Sequence, residues 1–341
     1  MAGGYPYFTL GLDGAGPSSP AEAIGTIARA AGEDAAAYIP DPDLTHAVNV
    51  ALVLGMPLLL TGPPGTGKTQ LAYAMGHALD CDVLKFETKS TSQARDLFYN
   101  YDSLAAFKRP TEADPRLFVH YQALGAAILD AFAASAPRME KLLPLGPSDY
   151  VHRGPRRTIV LIDEIDKAPR DFPNDVLNEI ERLYFRVPEL SNIGTPGAEP
   201  SEAGMEPRFR PIVVMTSNEE RGLPDPFLRR CIFYNIPFPG PEQMRAIVTA
   251  RLSLDPSSRM ARDALDLFYS LRRDAGRVRL RKEPSTAELL NWLQILGHRD
   301  VDPASSLRQH GDIVRQTIST LLKNGEDRAQ AVAYVNDWLA G

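Results

Sequence analysis

Apolar positions along the chain fall into two regimes. Between about residues 40 and 237, short apolar runs alternate with segments of helical spacing, and beyond that point only helical spacing remains. Asp41-Pro42 pairs an N-cap residue with proline at the first helical position. Leu44, Val48, Ala51 and Leu52 follow at helical intervals, and Gly55 is placed to end the helix. Met56 to Leu60 reads as a short buried strand, Lys68 to Leu79 as a helix with Leu71, Met75, Ala78 and Leu79 inward, and Val83 to Thr88 as a second strand. Further strands are expected at Thr158–Ile162, Ile212–Thr216 and Cys231–Ile236, with a helix from Asn174 to Leu183 before the fourth. This order predicts an α/β fold: a parallel five-stranded core sheet flanked by helices.

Residues 91–134 read as mainly helical, broken near Pro110 to Pro115, and residues 135–157 read as a proline- and glycine-bearing loop. Residues 191–207 form the best internal candidate for a mobile loop. At Pro237-Phe238-Pro239-Gly240-Pro241 the strand signals stop. Helices are then expected over roughly 242–252, 260–273, 285–296, 305–323 and 326–339, a C-terminal all-helical lid. Residues 1–38 read as a loose arm followed by a weakly amphipathic helix over 21–38, which gives a division into 1–38, 39–237 and 238–341.

The apolar fraction of 44% and charged fraction of 23% fit a folded globular chain rather than a disordered one. The formal net charge of −6 gives no global basic footprint, so nucleic acid is not an expected partner. The two cysteines, Cys81 and Cys231, form neither a zinc pattern nor a disulfide framework and read as reduced thiols. No apolar run approaches the ~18 residues of a membrane span, and the start lacks the order of a signal peptide, so a cytoplasmic protein is expected.

Candidate chemistry is concentrated at two places. Gly62-Pro63-Pro64-Gly65-Thr66-Gly67-Lys68-Thr69 matches G-x-x-x-x-G-K-[ST] in full, between a predicted strand and a predicted helix. Glycines there let backbone N–H groups turn toward phosphate oxygens, and the helix N-terminus adds partial positive charge. Lys68 supplies a full charge to ATP phosphates, and the Thr69 hydroxyl suits Mg²⁺. The second place is Ile159-Val160-Leu161-Ile162-Asp163-Glu164, four apolar residues that end in two carboxylates where a buried strand emerges. Asp163 is expected to hold the Mg²⁺ hydration shell, with Glu164 as the base that orients the attacking water. A tight turn would account for Gly62, Gly65 and Gly67 but not for the Lys68-Thr69 that follows.

The series formed by Ala47-Val48-Asn49-Val50-Ala51-Leu52, the glycine loop, Leu161-Ile162-Asp163-Glu164-Ile165-Asp166-Lys167-Ala168, Thr216-Ser217-Asn218 and Phe227-Leu228-Arg229-Arg230 resembles the AAA+ superfamily. Within it, the resemblance is to the MoxR-like ATPases. It implies an ATPase with ATP and Mg²⁺ as cofactors, a homo-oligomeric ring commonly of six subunits, and chaperone-type action on a protein partner such as a von Willebrand factor A-domain protein. It also implies that Asn218 is the sensor residue facing the γ-phosphate. One of Arg229 and Arg230 would be an arginine finger for the neighbouring subunit.

Two departures from the family stand out. Glu283-Pro284-Ser285-Thr286-Ala287-Glu288 has no arginine where a second sensor is usual, leaving Arg279, Arg281 and Lys282 as substitutes. In addition, 95 positions separate Lys68 from Asp163, room for an insertion over 91–155 that presents either a partner surface or plain packing. An ATP-switched scaffold with low turnover is the rival reading, and a small-molecule kinase a third.

Overall fold

A computed structural model describes residues 35–109, 113–145, 150–197, 205–219, 222–273 and 280–341. The chain divides into two compact units, one spanning Pro40–Pro237 and the other Phe238–Gly341 with the described residues 35–39. The arm and most of the helix expected before residue 39 lie outside the described residues.

The first unit is built on a parallel sheet of five strands: β1 (Leu58–Thr61), β2 (Asp82–Glu87), β3 (Thr158–Asp163), β4 (Ile212–Thr216) and β5 (Ile232–Asn235). Their order is β2-β3-β4-β1-β5, so β4 lies between the glycine-loop strand and the acid-pair strand. Ile159, Val160, Leu161 and Ile162 of β3 are fully buried, as a central parallel strand covered on both faces requires. Each such side chain contributes about 1.5–3 kcal/mol on burial.

Helix α1 (Pro42–Leu54) starts as expected. Asp41 accepts a hydrogen bond from the Asp43 N–H, and Gly55, with φ of 62°, closes the helix in the left-handed conformation. Helix α2 (Lys68–Leu79) packs on β2, β3 and β4 through a face that buries Leu71, Ala72 and Met75. The opposite face carries Leu59, Phe86, Val160, Ile162, Val213 and Met215. These meet the short helix α3 (Ala123–Leu129) and Val176, Leu177 and Ile180 of α4 (Phe172–Arg182) in one core.

In this first unit, two expectations need correction. Among the described residues of 91–134 the chain is not mainly helical, because Tyr99–Tyr101 and Val119–Tyr121 pair antiparallel and only Ser103–Lys108 and Ala123–Leu129 are α-helical. The physical reason is local. Tyr99, Val119 and Tyr121 bury their rings and branches in the main core, which outweighs the helix preference of the alanines around them. The segment is therefore a structural part of the sheet's cover and not a helical appendage.

The second correction concerns residues 186–194, where Arg186–Val187 and Ile193–Gly194 form a small antiparallel pair just after α4. Of the loop expected over 191–207, residues 198–204 lie outside the described residues.

Among its described residues the second unit has helices and no strand, with the α-helices α5 (Pro241–Leu252), α6 (Arg259–Arg273), α7 (Thr286–His298), α8 (Gly311–Thr317) and α9 (Gly325–Ala340). Met244, Val248, Phe268, Leu289, Trp292, Leu296, Val314 and Val335 form its own core. The single helix expected over 305–323 is instead a 3₁₀ turn (Leu307–His310), α8 and a second 3₁₀ turn (Ile318–Thr320). Helix α7 begins with a reciprocal cap, in which Ser285 accepts from the Glu288 N–H and Glu288 from the Ser285 N–H.

Candidate nucleotide site

The site lies along the carboxyl edge of the sheet, where open parallel sheets bind ligands. The loop after β1 turns on three glycines of positive φ, Gly62 (127°), Gly65 (78°) and Gly67 (89°). At Gly62 a Cβ would come within 2.3 Å of the Ile236 carbonyl oxygen, so no other residue fits there. Thr66 donates its hydroxyl to the Pro63 carbonyl at 3.0 Å and closes the turn that carries Pro63 and Pro64. Gly67 then leads directly into α2, which places Lys68 and Thr69 in its first turn.

Lys68 is buried, and its ammonium donates to the carbonyls of Gly62 at 2.6 Å and Pro63 at 3.0 Å. Burial pushes its pKa below the ordinary lysine value, against the opposing pull of Asp166, Asp163, Glu164 and Glu219. The ammonium is thus partly desolvated and surrounded by acids, a state in which an incoming polyanion gains a strong electrostatic partner.

Register brings the acids to the loop. Glu87 of β2 pairs with Asp163 of β3, and Ile162 pairs with Met215, so that Thr216 of β4 is level with Asp163. Asp163 Oδ1 accepts from the Thr69 hydroxyl at 2.9 Å and from the Thr216 hydroxyl at 2.6 Å. Its Oδ2 is 3.0 Å from the Lys85 ammonium. Burial alone would raise the Asp163 pKa, but hydrogen bonds from Thr216, Lys85 and Thr69 outweigh it and hold the carboxyl below the usual range.

Glu164 has φ of 58° and ψ of 51°, a left-handed backbone that costs a non-glycine residue about 1–3 kcal/mol and recurs at functional sites. Three contacts fix it. Its N–H donates to Thr216 Oγ1 at 2.9 Å, its Oε1 accepts from the Asn218 amide at 3.1 Å, and its Oε2 pairs with Lys167. Asn218 is itself anchored through its N–H to Oδ2 of the buried Asp166 at 3.2 Å.

Thr69, Asp163, Glu164 and Asn218 are therefore brought together around one edge of the sheet. Arg229 and Arg230 are not part of that cluster. They follow a short helix (Asp225–Leu228), are exposed, and neither guanidinium has a partner among the described residues. Arg281 and Lys282 are also exposed, with their backbone N–H groups held by Asp327, while Arg279 lies outside the described residues.

Three residues of this network were not singled out by the sequence: Thr216 as the bridge between the acids, Asp166 as the anchor of Asn218, and Lys85 on Asp163. Thr216 and Asp166 lie within recognisable segments, but their roles depend on pairing across strands. Lys85 gives only the signal of a cation in a partly exposed edge strand that also carries Asp82 and Glu87.

The donor set suits Mg²⁺. A hydroxyl and a carboxylate, both hard oxygen ligands, meet at the mouth of a glycine loop and a helix N-terminus. Together these features define a P-loop nucleotide-binding fold. Residues 57–231, just over half of the chain, match the family described as AAA domain (dynein-related subfamily), and the chain belongs to this AAA+ family, whose members bind ATP with Mg²⁺. No curated protein matches the chain. Among the described residues no helix is long and apolar enough to cross a membrane.

Proposed function

We propose that this chain is a ring-forming, MoxR-like ATPase that couples ATP hydrolysis to the remodelling or activation of a protein partner in the cytoplasm. The observation that carries this reading is the convergence of Thr69, Asp163, Glu164 and Asn218, while the guanidiniums of Arg229 and Arg230 have no partner among the described residues.

In this reading the loop backbone from Gly62 to Gly67 and the Lys68 ammonium cradle the phosphates. Lys68 exchanges its carbonyl partners for phosphate oxygens. Thr69 and Asp163 hold Mg²⁺, which when bound neutralises charge on the phosphoryl oxygens. Glu164, steered by Asn218, orients a water for attack and accepts its proton. Arg229 or Arg230 reaches the nucleotide of the next subunit, where a guanidinium is worth about 10³–10⁵ in rate in other NTPases. A six-membered ring and a partner with a von Willebrand factor A domain are the assembly and the client that this family reading favours.

The test is ATP turnover per subunit measured against protein concentration. A finger supplied in trans predicts specific activity that rises with assembly and falls for Arg229→Ala or Arg230→Ala without loss of nucleotide binding. Turnover independent of concentration and of both arginines would sink the ring reading. Nucleotide-driven assembly without turnover would favour an ATP-switched scaffold.

A further inference from the structure

We propose that Lys85 is a positioning residue of the nucleotide site: its ammonium, shared between Asp163 and Glu87, sets how tightly the site takes a divalent cation. This inference rests on the reading of Thr69 and Asp163 as the magnesium-side pair.

The two oxygens of Asp163 are used differently. Oδ1 faces the glycine loop and takes hydroxyl hydrogens from Thr69 and Thr216, while Oδ2 is 3.0 Å from the Lys85 ammonium. Lys85 is also 2.9 Å from Glu87 Oε1, so one cation bridges two carboxylates. Alternation along β2 puts residues 85 and 87 on one face, and the register places Glu87 beside Asp163 and Lys85 beside Leu161. The lysine stem therefore starts one residue pair below the carboxyl edge, in a row whose next three members Leu161, Val214 and Leu58 are buried hydrocarbon.

A solvated edge cation is the plainer explanation for a lysine on an outer strand. It accounts poorly for the inward turn of this ammonium. Glu87, with 73% of its side chain exposed, offers an ion pair in open solvent, yet Lys85 also engages the half-buried Asp163, whose side chain is 14% exposed. A positive charge on a carboxylate weakens that carboxylate as a donor to another cation, and outer partners of this kind tune metal sites strongly. Glu87 moderates the effect by drawing part of the lysine's charge away.

The sign of each change follows. Lys85→Met strips the competing charge and tightens the cation; Glu87→Gln leaves Lys85 on Asp163 alone and loosens it; Lys85→Arg keeps the charge and stays near wild type. The experiment titrates Mn²⁺ into the full chain with a non-hydrolysable ATP analogue, reading free Mn²⁺ by its magnetic resonance signal, and repeats it with Mg²⁺ and a fluorescent ATP analogue. A roughly three- to tenfold lower half-saturation is expected for Lys85→Met, with an opposite shift for Glu87→Gln.

A lysine that merely braces the strand would lower the unfolding midpoint of the variants without shifting half-saturation in opposite directions. Unchanged or weakened cation binding in Lys85→Met would overturn the proposal. If Lys85→Met does not fold, Glu87→Gln against Lys85→Arg decides it: equal half-saturation in the two overturns it. Wild-type protein that binds the nucleotide with no cation dependence at all would instead remove the underlying site reading, and this proposal with it.

Discussion

The side-chain amide of Asn218 donates to Glu164 Oε1 at 3.1 Å, across 54 positions of sequence. The proposed sensor amide and the proposed base therefore form one unit before any nucleotide arrives. Removing either should impair the same step. Glu164→Gln should bind ATP with near wild-type affinity and hydrolyse it about 100-fold more slowly or worse, and Asn218→Ala should lose about tenfold or more. Because they act together, the double variant should be no slower than Glu164→Gln alone, which single-turnover assays can establish.

The Thr216 hydroxyl accepts from the Glu164 N–H and donates to Asp163, serving both acids with one oxygen. Thr216→Val keeps the shape and removes the bridge. The Glu164 N–H then lacks its acceptor, at a cost of about 1–3 kcal/mol, and its left-handed backbone loses a restraint. Urea denaturation should register the stability loss, and turnover should fall while ATP affinity is retained. Wild-type turnover in this variant would show that the bridge has no catalytic consequence.

Asp130 is completely buried after α3 and is held by Arg156 through Nε at 2.9 Å and Nη2 at 2.6 Å, with the Tyr150 hydroxyl at 2.9 Å on its other oxygen. This cluster ties the approach to β3 onto the core. Arg156→Met leaves a buried carboxylate without its cation, a change that typically costs about 3–5 kcal/mol. The double variant Arg156→Met with Asp130→Asn should recover much of that loss in thermal or chemical unfolding. A midpoint unchanged by Arg156→Met would contradict the assignment.

Burial pushes the Cys231 thiol up to about 12 and raises Cys81 as well, with desolvation the main cause in both. An unfolded thiol ionises near 8.5, so the folded state favours the protonated form. The contribution of Cys231 to stability is complete below about pH 8.5 and fades as the pH climbs toward 12. Cys231→Ala should accordingly flatten the decline of the urea midpoint between pH 9 and 11. In the native protein at pH 8, a thiol reagent should leave Cys231 unmodified until denaturant is added.

The parts of this molecule that could be read from sequence are those written in contiguous residues. The glycine loop and the apolar run Ile159 to Ile162 ending in Asp163-Glu164 carry their own context, and the five sheet strands are short apolar runs bounded by breakers. The pairs at Tyr99–Tyr101 with Val119–Tyr121 and at Arg186–Val187 with Ile193–Gly194 are too short for any period to register. They exist because their side chains find the core, a tertiary reason. Lys85, Asp166 and Thr216 were missed as functional partners for a related cause: each acts on a residue more than 50 positions away or on a neighbouring strand, and only pairing across the sheet shows which one.

The parallel alignment of the strands has a consequence for how this chain can vary. Glu87, Asp163 and Thr216 stand level only because each strand spends a set number of residues before reaching the edge. Strand length thus works as a reading frame for the chemistry. Deleting one residue inside β3 would present Glu164 where Asp163 belongs and turn the side chains between the deletion and the edge to the opposite face. Apart from the glycine loop, the exposed parts of the connections between strands carry less of this arithmetic. In the long stretch between β2 and β3, the exposed helix Ser103–Lys108 can vary while the acids keep their places, whereas Tyr99, Tyr121 and Ala123–Leu129, buried in the core, are held almost as tightly as the rungs of the sheet.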